Sequence, residues 1–505
     1  MDRDLIYWRQ FPFHVFLGPR IASSRLSFDM ARLTPLFVLF YLLACFASAS
    51  ADEAKRPNIL FLFADDQAYD TVGAFGNEEI QTPSLDELAA RGTTFTHCFN
   101  MGSWSGAVCV ASRTMLNSGR YVWSANAIYA KSEQERQAGR WWSEYLKKAG
   151  YKTYMTGKWH VRADAKKSFD DARNVRGGMP QQTPTGYNRP LADGSDPWSP
   201  SDPKFGGYWK GGKHWSEVVG DDAIDFIDDA AGQEKPFFMY VAFNAPHDPR
   251  QSPQVYVDRY PVDSISVPKD FLPLYPHKDA IGLGPSLRDE ALGIFPRTEH
   301  CVKVHRQEYY SIITHMDAQI GRILKRLKAS GVADNTWIFF TADHGLACGH
   351  HGLMGKQNMY DHSLRVPFMV VAPGVDAGRR ISAPIYLQDV MPTTLQLAGV
   401  EKPQHVDFQS VLPLLDGRGQ PRQAIYGAYL DLQRSLRTER YKLILYPKAK
   451  VARLYDLEHD PDEMNDLAGD AAALPIMRQL FAEFRRQQAE LGDSLDLSDT
   501  FADLM

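Results

Sequence analysis

The residues with the clearest capacity for chemistry are a cysteine and an arginine four positions apart. Cys109 and Arg113 bound the run Cys-Val-Ala-Ser-Arg, and Thr-Met-Leu-Asn-Ser-Gly-Arg follows directly, ending at Arg120. An arginine at this spacing can hold an anion beside the sulfur position, and a neighbouring cation favours an ionised nucleophile. The spacing alone leaves a second interpretation open, because most cysteines in a large chain are buried packing residues.

Acidic pairs follow two apolar runs of the chain. Asp65 and Asp66 come after one run, and Asp343 with His344 comes after another. Adjacent carboxylates at a strand end need a cation or hydrogen-bond donors nearby. Several carboxylate oxygens suit Ca²⁺, with Mg²⁺ second, better than they suit zinc. Each pair taken alone also fits a helix cap or a surface turn.

Four further basic side chains lie in short motifs. Gly-Lys-Trp-His places Lys158 and His160 after a strand-like run, Ala-Pro-His-Asp-Pro places His247 after another, and Gly-Lys-Gln contains Lys356. A lysine can bind the oxygens of an anion, and a histidine can transfer a proton near neutral pH. In isolation, each of these residues also fits an ordinary solvated loop.

In this order along the chain, the motifs resemble those of the sulfatase family, over roughly residues 55–465. The run from Cys109 resembles the signature Cys-x-Pro-Ser-Arg followed by Leu-x-Thr-Gly-Arg, with Ala111 in place of proline and Ser118 in place of threonine. Thr-Ala-Asp-His-Gly around Asp343 and Leu-Tyr-Asp-Leu from Leu454 resemble two further family elements. The chain is therefore similar to the type I, formylglycine-dependent sulfatases of the alkaline-phosphatase-like superfamily, in the branch of choline-sulfatase-like and polysaccharide sulfatases.

The resemblance implies a catalytic group made from Cys109. In that family a maturation enzyme oxidises the cysteine to formylglycine (3-oxoalanine), and its gem-diol hydrate attacks the sulfur of a sulfate ester beside one divalent cation, usually Ca²⁺. The metal ligands implied are Asp65, Asp66, Cys109 in its modified form, Asp343 and His344. The other catalytic residues implied are Arg113, Lys158 and Lys356 on the sulfate, His247 as acid for the leaving oxygen and His160 as base for the second hydroxyl.

These motifs leave the substrate open. A sulfated carbohydrate is favoured, because an export signal and a tryptophan-containing segment at 161–216 suit a sugar ligand. An aryl or choline-type sulfate is the second expectation, since Pro-His-Asp-Pro elements occur in choline-sulfatase-like proteins. Two other functions remain: a phosphodiesterase or phosphonate monoester hydrolase of the same superfamily, and an inactive secreted glycan-binding protein.

Apolar runs alternate with amphipathic segments, which predicts an α/β protein. The expected architecture is a large mixed, mostly parallel sheet sandwiched by helices, with the polar motifs past the carboxyl ends of the strands. Residues 161–216 and 248–300 are predicted to be long irregular connections. The pattern then changes to short strands and a last helix, which predicts a catalytic domain at 52–410 and a smaller C-terminal subdomain of antiparallel sheet plus helix at 411–505.

Residues 1–51 are predicted to be a signal peptide region. The apolar run Leu36–Phe46 follows Arg32 and is short for a membrane span, and Ala-Ser-Ala ending at Ala51 fits a cleavage site. Met30 is an alternative start for this signal. The mature chain is expected to be exported, periplasmic or secreted, without a stable membrane span. Lipoprotein processing at Cys45 and a retained membrane anchor are the alternatives.

Composition and charge narrow the choice of partners. The chain has 505 residues, 44% of them hydrophobic, and a formal net charge of -5, which gives no electrostatic case for nucleic-acid binding. Its 5 cysteines include no Cys-x-x-Cys pair, so neither a disulfide framework nor a zinc ribbon is expected. The expected partners are a sulfate ester and the maturation enzyme.

Overall fold

The first apolar run forms a buried strand near the middle of the main sheet. In the computed structural model, which describes residues 56–505, this strand is β1 (Asn58–Ala64), and all of its side chains are buried. A strand without an exposed face requires cover on both sides of the sheet. The predicted signal region lies outside the described residues.

The main sheet has eight strands and is mixed but mostly parallel, which confirms the predicted fold class. Its strands are β1, β2 (Thr93–Phe95), β3 (Lys152–Lys158), β4 (Asp171–Arg176), β5 (Phe237–Ala242), β6 (Thr336–Ala342), β7 (Phe368–Val371) and β8 (Arg379–Ile381). Their order across the sheet is β8-β2-β7-β6-β1-β5-β3-β4. Within this sheet β7 runs antiparallel to both of its neighbours, whereas the other pairings are parallel.

Part of the segment 161–216 is regular, contrary to the prediction. β4 lies parallel to β3 at the edge of the sheet, and the register shifts between Thr156 and Gly157. Most of the β4 side chains are partly or fully exposed. An edge strand of this kind has no continuous apolar run, so the sequence contained no periodic signal for it.

Helices pack together in two groups on this sheet. One group contains α1 (Pro83–Arg91), α6 (Trp215–Ala231) and α7 (Glu299–Ala329). The other contains α2 (Val108–Ser118), α5 (Trp142–Lys148) and α8 (Val390–Leu397), while α3 (Val122–Tyr129) and α4 (Ser132–Gln137) follow α2 in the chain. Between β5 and α7 the chain is irregular apart from short helical turns, as predicted.

A second sheet of five strands forms in the C-terminal part of the chain. Its antiparallel strands are β9 (Ile425–Tyr429), β10 (Gln433–Arg437), β11 (Tyr441–Tyr446) and β12 (Val451–Asp456), and α9 (Leu474–Glu490) packs against it. Gly102–Ser103 adds a short parallel strand next to β9. The segment that leads to Cys109 is therefore anchored to this second sheet.

Gly157 allows β3 to approach β5 closely just before Lys158. Its φ is +89°, and a Cβ atom there would lie 1.8 Å from the carbonyl oxygen of Ala242. Both the positive φ and this contact exclude a larger residue. The backbone position of Lys158 therefore depends on a glycine at the preceding residue.

Across residues 56–505, we find no helix that combines the length and the apolar character needed to cross a membrane.

Candidate active site

The polar motifs meet at one edge of the main sheet because the strands that carry them are parallel neighbours. Asp65 follows β1, Asp343 follows β6, Lys158 ends β3, and His247 lies shortly after β5. The backbone N–H of Asp65 donates to the carbonyl of Ala245 at 3.0 Å, so strand-like pairing continues into the site. The carboxyl ends of parallel strands are where sites form in open α/β sheets.

Cys109 lies in the first turn of α2, and its side chain is 2% exposed. Its Sγ is 3.3 Å from Nε2 of His344, 3.7 Å from Nζ of Lys356 and 3.8 Å from Oδ1 of Asp66. Burial alone would raise the pKa of this thiol, but Lys158, Lys356 and His344 hold the pKa well below its usual value. The position therefore suits an ionised, reactive group.

Arg113, one turn later on α2, connects the carboxylates at two strand ends. Its Nε donates to Oδ2 of Asp343 at 3.0 Å, and its NH2 group is 3.6 Å from Oδ1 of Asp65. Its NH1 group donates to the carbonyl of Lys158 at 2.8 Å, and the ammonium of Lys158 donates to Asp65. The spacing of four residues places Cys109 and Arg113 on one helix face. Its contacts here are with the two carboxylates and the carbonyl of Lys158, and its predicted action on the sulfate stays a prediction.

The two adjacent acids have opposite pKa shifts. Burial, followed by the charge of Asp343, raises the pKa of Asp65 well above its usual value. Burial would also raise the pKa of Asp66, but His247 and Lys356 hold the pKa well below its usual range. Nζ of Lys356 donates to Oδ2 of Asp66 at 2.6 Å. The surrounding charges therefore favour the ionised form of Asp66 more than that of Asp65.

All five predicted metal ligands come together here. Their ligand atoms lie within 4.8 Å of one another, in Asp65, Asp66, Cys109, Asp343 and His344. Oδ1 of Asp65 is buried without a hydrogen-bond partner within residues 56–505, which is costly unless a cation satisfies it. Nδ1–H of His344 is assigned as the donor to the carbonyl of Gly345 at 2.8 Å, so Nε2 is the nitrogen that faces the site, 2.9 Å from Oδ1 of Asp66. This donor set fits a hard divalent cation.

His247 directs Nε2 toward the acidic pair. Its Nδ1 is 2.6 Å from the carbonyl oxygen of Asp248, so this nitrogen carries the proton and donates it. Nε2 lies 3.9 Å from Oδ2 of Asp66. The nitrogen that faces the site is therefore the one able to exchange a proton with a ligand there.

His160 lies near the thiol of Cys109, and each group affects the pKa of the other. Burial lowers the pKa of His160, so its neutral, proton-accepting form is favoured. Its Nδ1 is buried without a hydrogen-bond partner in the part of the chain that the structure describes. A Cβ atom on Gly178 would lie 2.2 Å from Cε1 of this ring, so the glycine makes room for the imidazole.

The comparison with known families agrees with this geometry. Residues 57–400 match the profile of the sulfatase family, and residues 349–490 match the profile described as N-sulphoglucosamine sulphohydrolase, C-terminal. The chain belongs to the sulfatase family. It is a sulfuric ester hydrolase, an enzyme that cleaves sulfate esters.

Individual relatives of this sulfatase share most of its length. An ulvan-active sulfatase of Formosa agariphila is 27% identical over 493 residues, which cover 92% of this chain and 88% of that protein. A protein solved in complex with its substrate D-glucosamine-2-N,6-O-disulfate has a TM-score of 0.67 and 23% identity, covering 87% of this chain and 99% of its own. A phosphonate monoester hydrolase from Silicibacter pomeroyi has a TM-score of 0.67 and 22% identity, covering 88% and 97%. At these identities the two structures show a shared fold.

The sequence motifs missed polar residues that support the site of this sulfatase. Arg288 donates to Asp248 and also pairs with Asp289. Oδ1 of Asp248 is 3.3 Å from Nδ1 of His247, and Oδ2 of Asp289 is 3.7 Å from Nζ of Lys356. Arg288 and Asp289 lie in the irregular connection between β5 and α7, where neither periodicity nor a motif marks them.

The tryptophans of the segment 161–216 are engaged in packing. Trp198 is 6% exposed, and the guanidinium of Arg189 lies 4.5 Å from the centre of its ring. Arg176 covers the ring of Trp215 at 4.1 Å. Burial therefore limits the contact that Trp198 could make with a sugar, and Arg176 packs on the ring of Trp215.

Proposed function

We propose that this sulfatase removes sulfate from an anionic carbohydrate, using a formylglycine made from Cys109 and one calcium-class cation. The observation that carries the proposal is the buried environment of Cys109. His344, Lys356 and Asp66 all lie within 3.8 Å of its sulfur. No ordinary packing cysteine needs a carboxylate, an ammonium and an imidazole around it.

The proposed cation is held by the carboxylates at the strand ends. Asp65, Asp66 and Asp343 would supply oxygen ligands, and His344 with the modified Cys109 would complete the set. Ca²⁺ is preferred to Mg²⁺ because it tolerates a larger and less regular oxygen set. When bound, such a cation polarises a hydroxyl nucleophile and neutralises charge on the sulfate oxygens.

The proposed modification accounts for a cysteine at this position. Formylglycine, produced by a maturation enzyme that supplies the oxidant, offers two hydroxyls in its hydrate, one to attack sulfur and a second whose deprotonation releases sulfate. A thiol or a serine hydroxyl lacks the second hydroxyl. The first turn of α2 holds the group in place, and its burial excludes bulk water.

The surrounding side chains bind the sulfate and move the protons. Lys356 lies 3.7 Å from the sulfur of Cys109, within reach of an anion bound there, and Lys158 adds a second buried cation. His247, through Nε2, would protonate the leaving oxygen. His160, kept neutral by its lowered pKa, would accept the proton of the second hydroxyl.

An anionic sugar is the proposed substrate class. The ulvan-active relative and the similar fold with a bound glucosamine disulfate support a sulfated carbohydrate. Near the catalytic residues in sequence, the rings of Trp104 and Tyr129 have centroids 5.9 Å apart, and the exposed guanidinium of Arg162 lies 4.6 Å from the centre of the Tyr129 ring. We refer to these three residues as the aromatic shelf. Aromatic rings next to an exposed cation suit a sugar that carries a second negative charge.

Mass spectrometry of one tryptic peptide tests the proposed nucleophile. Residues 92–113 form a single peptide that contains both Cys98 and Cys109. In protein from its natural host, we expect Cys109 as formylglycine and its hydrate, with Cys98 unchanged as an internal control. A folded protein with full sulfatase turnover and an intact Cys109 thiol would refute the formylglycine mechanism.

Turnover of matched esters tests the reaction class. We expect 4-nitrophenyl sulfate and a sulfated glycan to be hydrolysed faster than 4-nitrophenyl phosphate and a phosphonate monoester. Faster turnover of the phosphorus esters would favour a phosphonate monoester hydrolase or phosphodiesterase. Glycan binding without any turnover by the modified protein would favour an inactive binding protein.

We also propose that the mature enzyme is exported and begins near Asp52. The apolar run and the Ala-Ser-Ala motif in residues 1–51 support this, and we place the catalytic domain at 52–410 and the C-terminal subdomain at 411–505. N-terminal sequencing of the protein released from its host should give Asp52. An N-terminus retained at the initiator methionine would contradict cleavage.

A further inference from the structure

A second group of metal-type side chains lies outside the proposed catalytic centre. Ligand atoms of Asp270, His351 and His362 lie within 4.8 Å of one another. Asp270 and His351 are buried, with exposures of 6% and 5%. Asp270 and His362 line a cleft of about 110 Å³ that also contains His350 and Asp70. The side chain of Asp70 is 47% exposed, so an ion could enter the cleft from solvent.

Both imidazoles in this group are oriented by a contact on their other nitrogen. Nε2 of His351 is 3.0 Å from the carbonyl oxygen of Glu463, which requires Nε2 to donate and leaves Nδ1 for the group. Nδ1 of His362 is 2.9 Å from the hydroxyl of Ser363. Nε2 of His362 is buried and has no hydrogen-bond partner among the described residues. Histidine ligands of metals are usually held in this way, by a hydrogen bond on the nitrogen that does not bind.

The carboxylate of Asp270 is oriented by a neighbour as well. Its Oδ1 is 2.9 Å from Nδ1 of His350, and Nε2 of His350 lies 3.4 Å from Oδ2 of Asp70. Oδ2 of Asp270 faces Nδ1 of His351 at 2.9 Å. Nδ1 of His351 nevertheless has no hydrogen bond of acceptable geometry to any group in residues 56–505. Oδ2 of Asp270 is also 3.0 Å from Nδ1 of His350, so a cation between Oδ2 and Nδ1 of His351 would satisfy the one atom of the two that lacks a partner.

We propose that Asp270, His351 and His362 bind a divalent transition-metal ion of the zinc class, in addition to the catalytic cation. Two imidazoles and one carboxylate favour Zn²⁺ over Ca²⁺, which prefers a larger set of oxygen ligands. Water from the open cleft would complete the coordination.

This ion would connect three separate segments of the chain. Asp270 belongs to the irregular connection that also carries Arg288, and His351 lies in the loop that leads to Lys356. His362 lies in the one-turn helix Asp361–Leu364. Bound metal would therefore stabilise the segments that carry Arg288 and Lys356. This stabilisation would increase with the affinity and concentration of the metal. It would take no part in sulfate hydrolysis itself.

The chain offers a matched control at a different group of acids and a histidine. Asp456, Glu458 and His459 also have ligand atoms within 4.8 Å of one another. The side chain of His459 is 69% exposed and that of Glu458 is 61% exposed. Exposed groups of this kind are well solvated and bind metal weakly, so we expect no specific site there.

The test measures metal binding by the full chain after treatment with a chelator and addition of excess Ca²⁺ to occupy the carboxylate-rich site. Co²⁺ is titrated in as an optical probe, and Zn²⁺ content is measured after dialysis. We expect one bound ion per chain with the visible absorption of a four-coordinate, nitrogen-ligated Co²⁺ and a higher melting temperature with Zn²⁺. His362→Ala should weaken this binding by at least about 100-fold, whereas His459→Ala should leave it unchanged.

Two further measurements keep the result decisive. A Cys109→Ala variant should retain the ion, because the proposed site does not use the catalytic sulfur; loss of the ion in this variant would assign it to the catalytic centre and overturn the proposal. If His362→Ala fails to fold, Asp270→Asn takes its place as the test variant. X-ray absorption of the Zn²⁺-loaded parent protein is then also measured, and we expect it to show two imidazole ligands. Absence of a nitrogen-ligated ion in the parent, or equal affinity in the folded His362→Ala variant, would also overturn it.

Discussion

Nζ of Lys356 donates a hydrogen bond to Oδ2 of Asp66 at 2.6 Å. Burial alone would lower the pKa of this lysine, but the charges of Asp66 and Cys109 raise it well above its usual value. The ammonium is therefore a permanent positive charge beside the position of the nucleophile. A fixed cation of this kind stabilises negative charge that develops in a transition state.

Replacement of this cation should impair catalysis strongly. We expect Lys356→Met to lower kcat/KM for a sulfate ester by about 10²–10³-fold, the usual effect of removing one preorganised electrostatic group. Lys448→Met is the control, because that lysine is 56% exposed and pairs with an exposed aspartate, Asp431. Steady-state kinetics of both variants decides the matter, and a loss of less than a few-fold in Lys356→Met would place the lysine outside the reaction.

Arg288 should act as a positioning residue through Asp248. Burial would raise the pKa of Asp248, but Arg288 and His247 hold it well below its usual value. Without Arg288, Asp248 should take up a proton at a higher pH as the solution is acidified, and His247 should lose its charged neighbour.

We therefore expect Arg288→Met to lower kcat more than it raises KM and to move the acidic limb of the kcat–pH profile to higher pH. Arg418→Met, at a side chain that is 79% exposed, should leave the profile unchanged. An unshifted profile in Arg288→Met would limit Arg288 to a structural role.

The aromatic shelf should affect large anionic substrates selectively. We expect Trp104→Ala and Arg162→Ala each to raise KM for a sulfated oligosaccharide by about 5-fold, since each contact of this type contributes on the order of 1 kcal/mol. Turnover of 4-nitrophenyl sulfate should change little, because this small ester would not reach the shelf. Equal losses on both substrates would instead indicate damage to the catalytic centre.

We expect Gly157 to tolerate no side chain. A second glycine with a similar backbone conformation, Gly139, should accept one. Gly139 has φ of +75° and, among the described residues, nothing within 4 Å of a Cβ atom placed there. We expect Gly139→Ala to cost about 1 kcal/mol of unfolding free energy from its positive φ alone. Gly157→Ala should cost more and also reduce activity, because it forces β3 away from β5 next to Lys158. Equal melting temperatures for the two variants would contradict this.

A buried carboxyl group predicts a pH dependence of stability. Burial raises the pKa of Asp317 to about 6, although it accepts backbone N–H bonds from Ser84 at 3.1 Å and Leu85 at 2.8 Å. Its unfolded-state pKa is about 3.9. An acid with a raised folded-state pKa contributes stability that is complete below the unfolded value and is lost as pH rises through the folded value.

The melting temperature should therefore carry a contribution from Asp317 that falls between pH 4 and pH 6. Asp317→Asn removes the titrating group, so this part of the pH dependence should disappear. Thermal unfolding of both proteins at pH 4, 5 and 6 measures it. Parallel curves for the two proteins would show that Asp317 does not titrate in this range.

Local sequence was sufficient for the main strands and for the residues around Cys109. β1 was recognisable because a strand buried on both faces is apolar throughout, and β6 for the same reason. Their parallel arrangement places Asp65 and Asp343 at one edge, as the strand pattern predicted, whereas the meeting of Asp65, Asp66 and Asp343 with Cys109 was implied by the resemblance to the sulfatases.

The tertiary structure alone decided which residues support that site. β4, Arg288 and Asp289 lie in segments without periodicity, and Arg288 and Asp289 contact Asp248 and Lys356, which belong to other segments of the chain. The same holds for Asp270 and His362, which are brought together only when the irregular connection folds back over the loop before Lys356. A periodic sequence pattern reflects which side chains of one strand or helix are buried. A contact between two irregular segments leaves no such pattern, because chain folding rather than local geometry creates it.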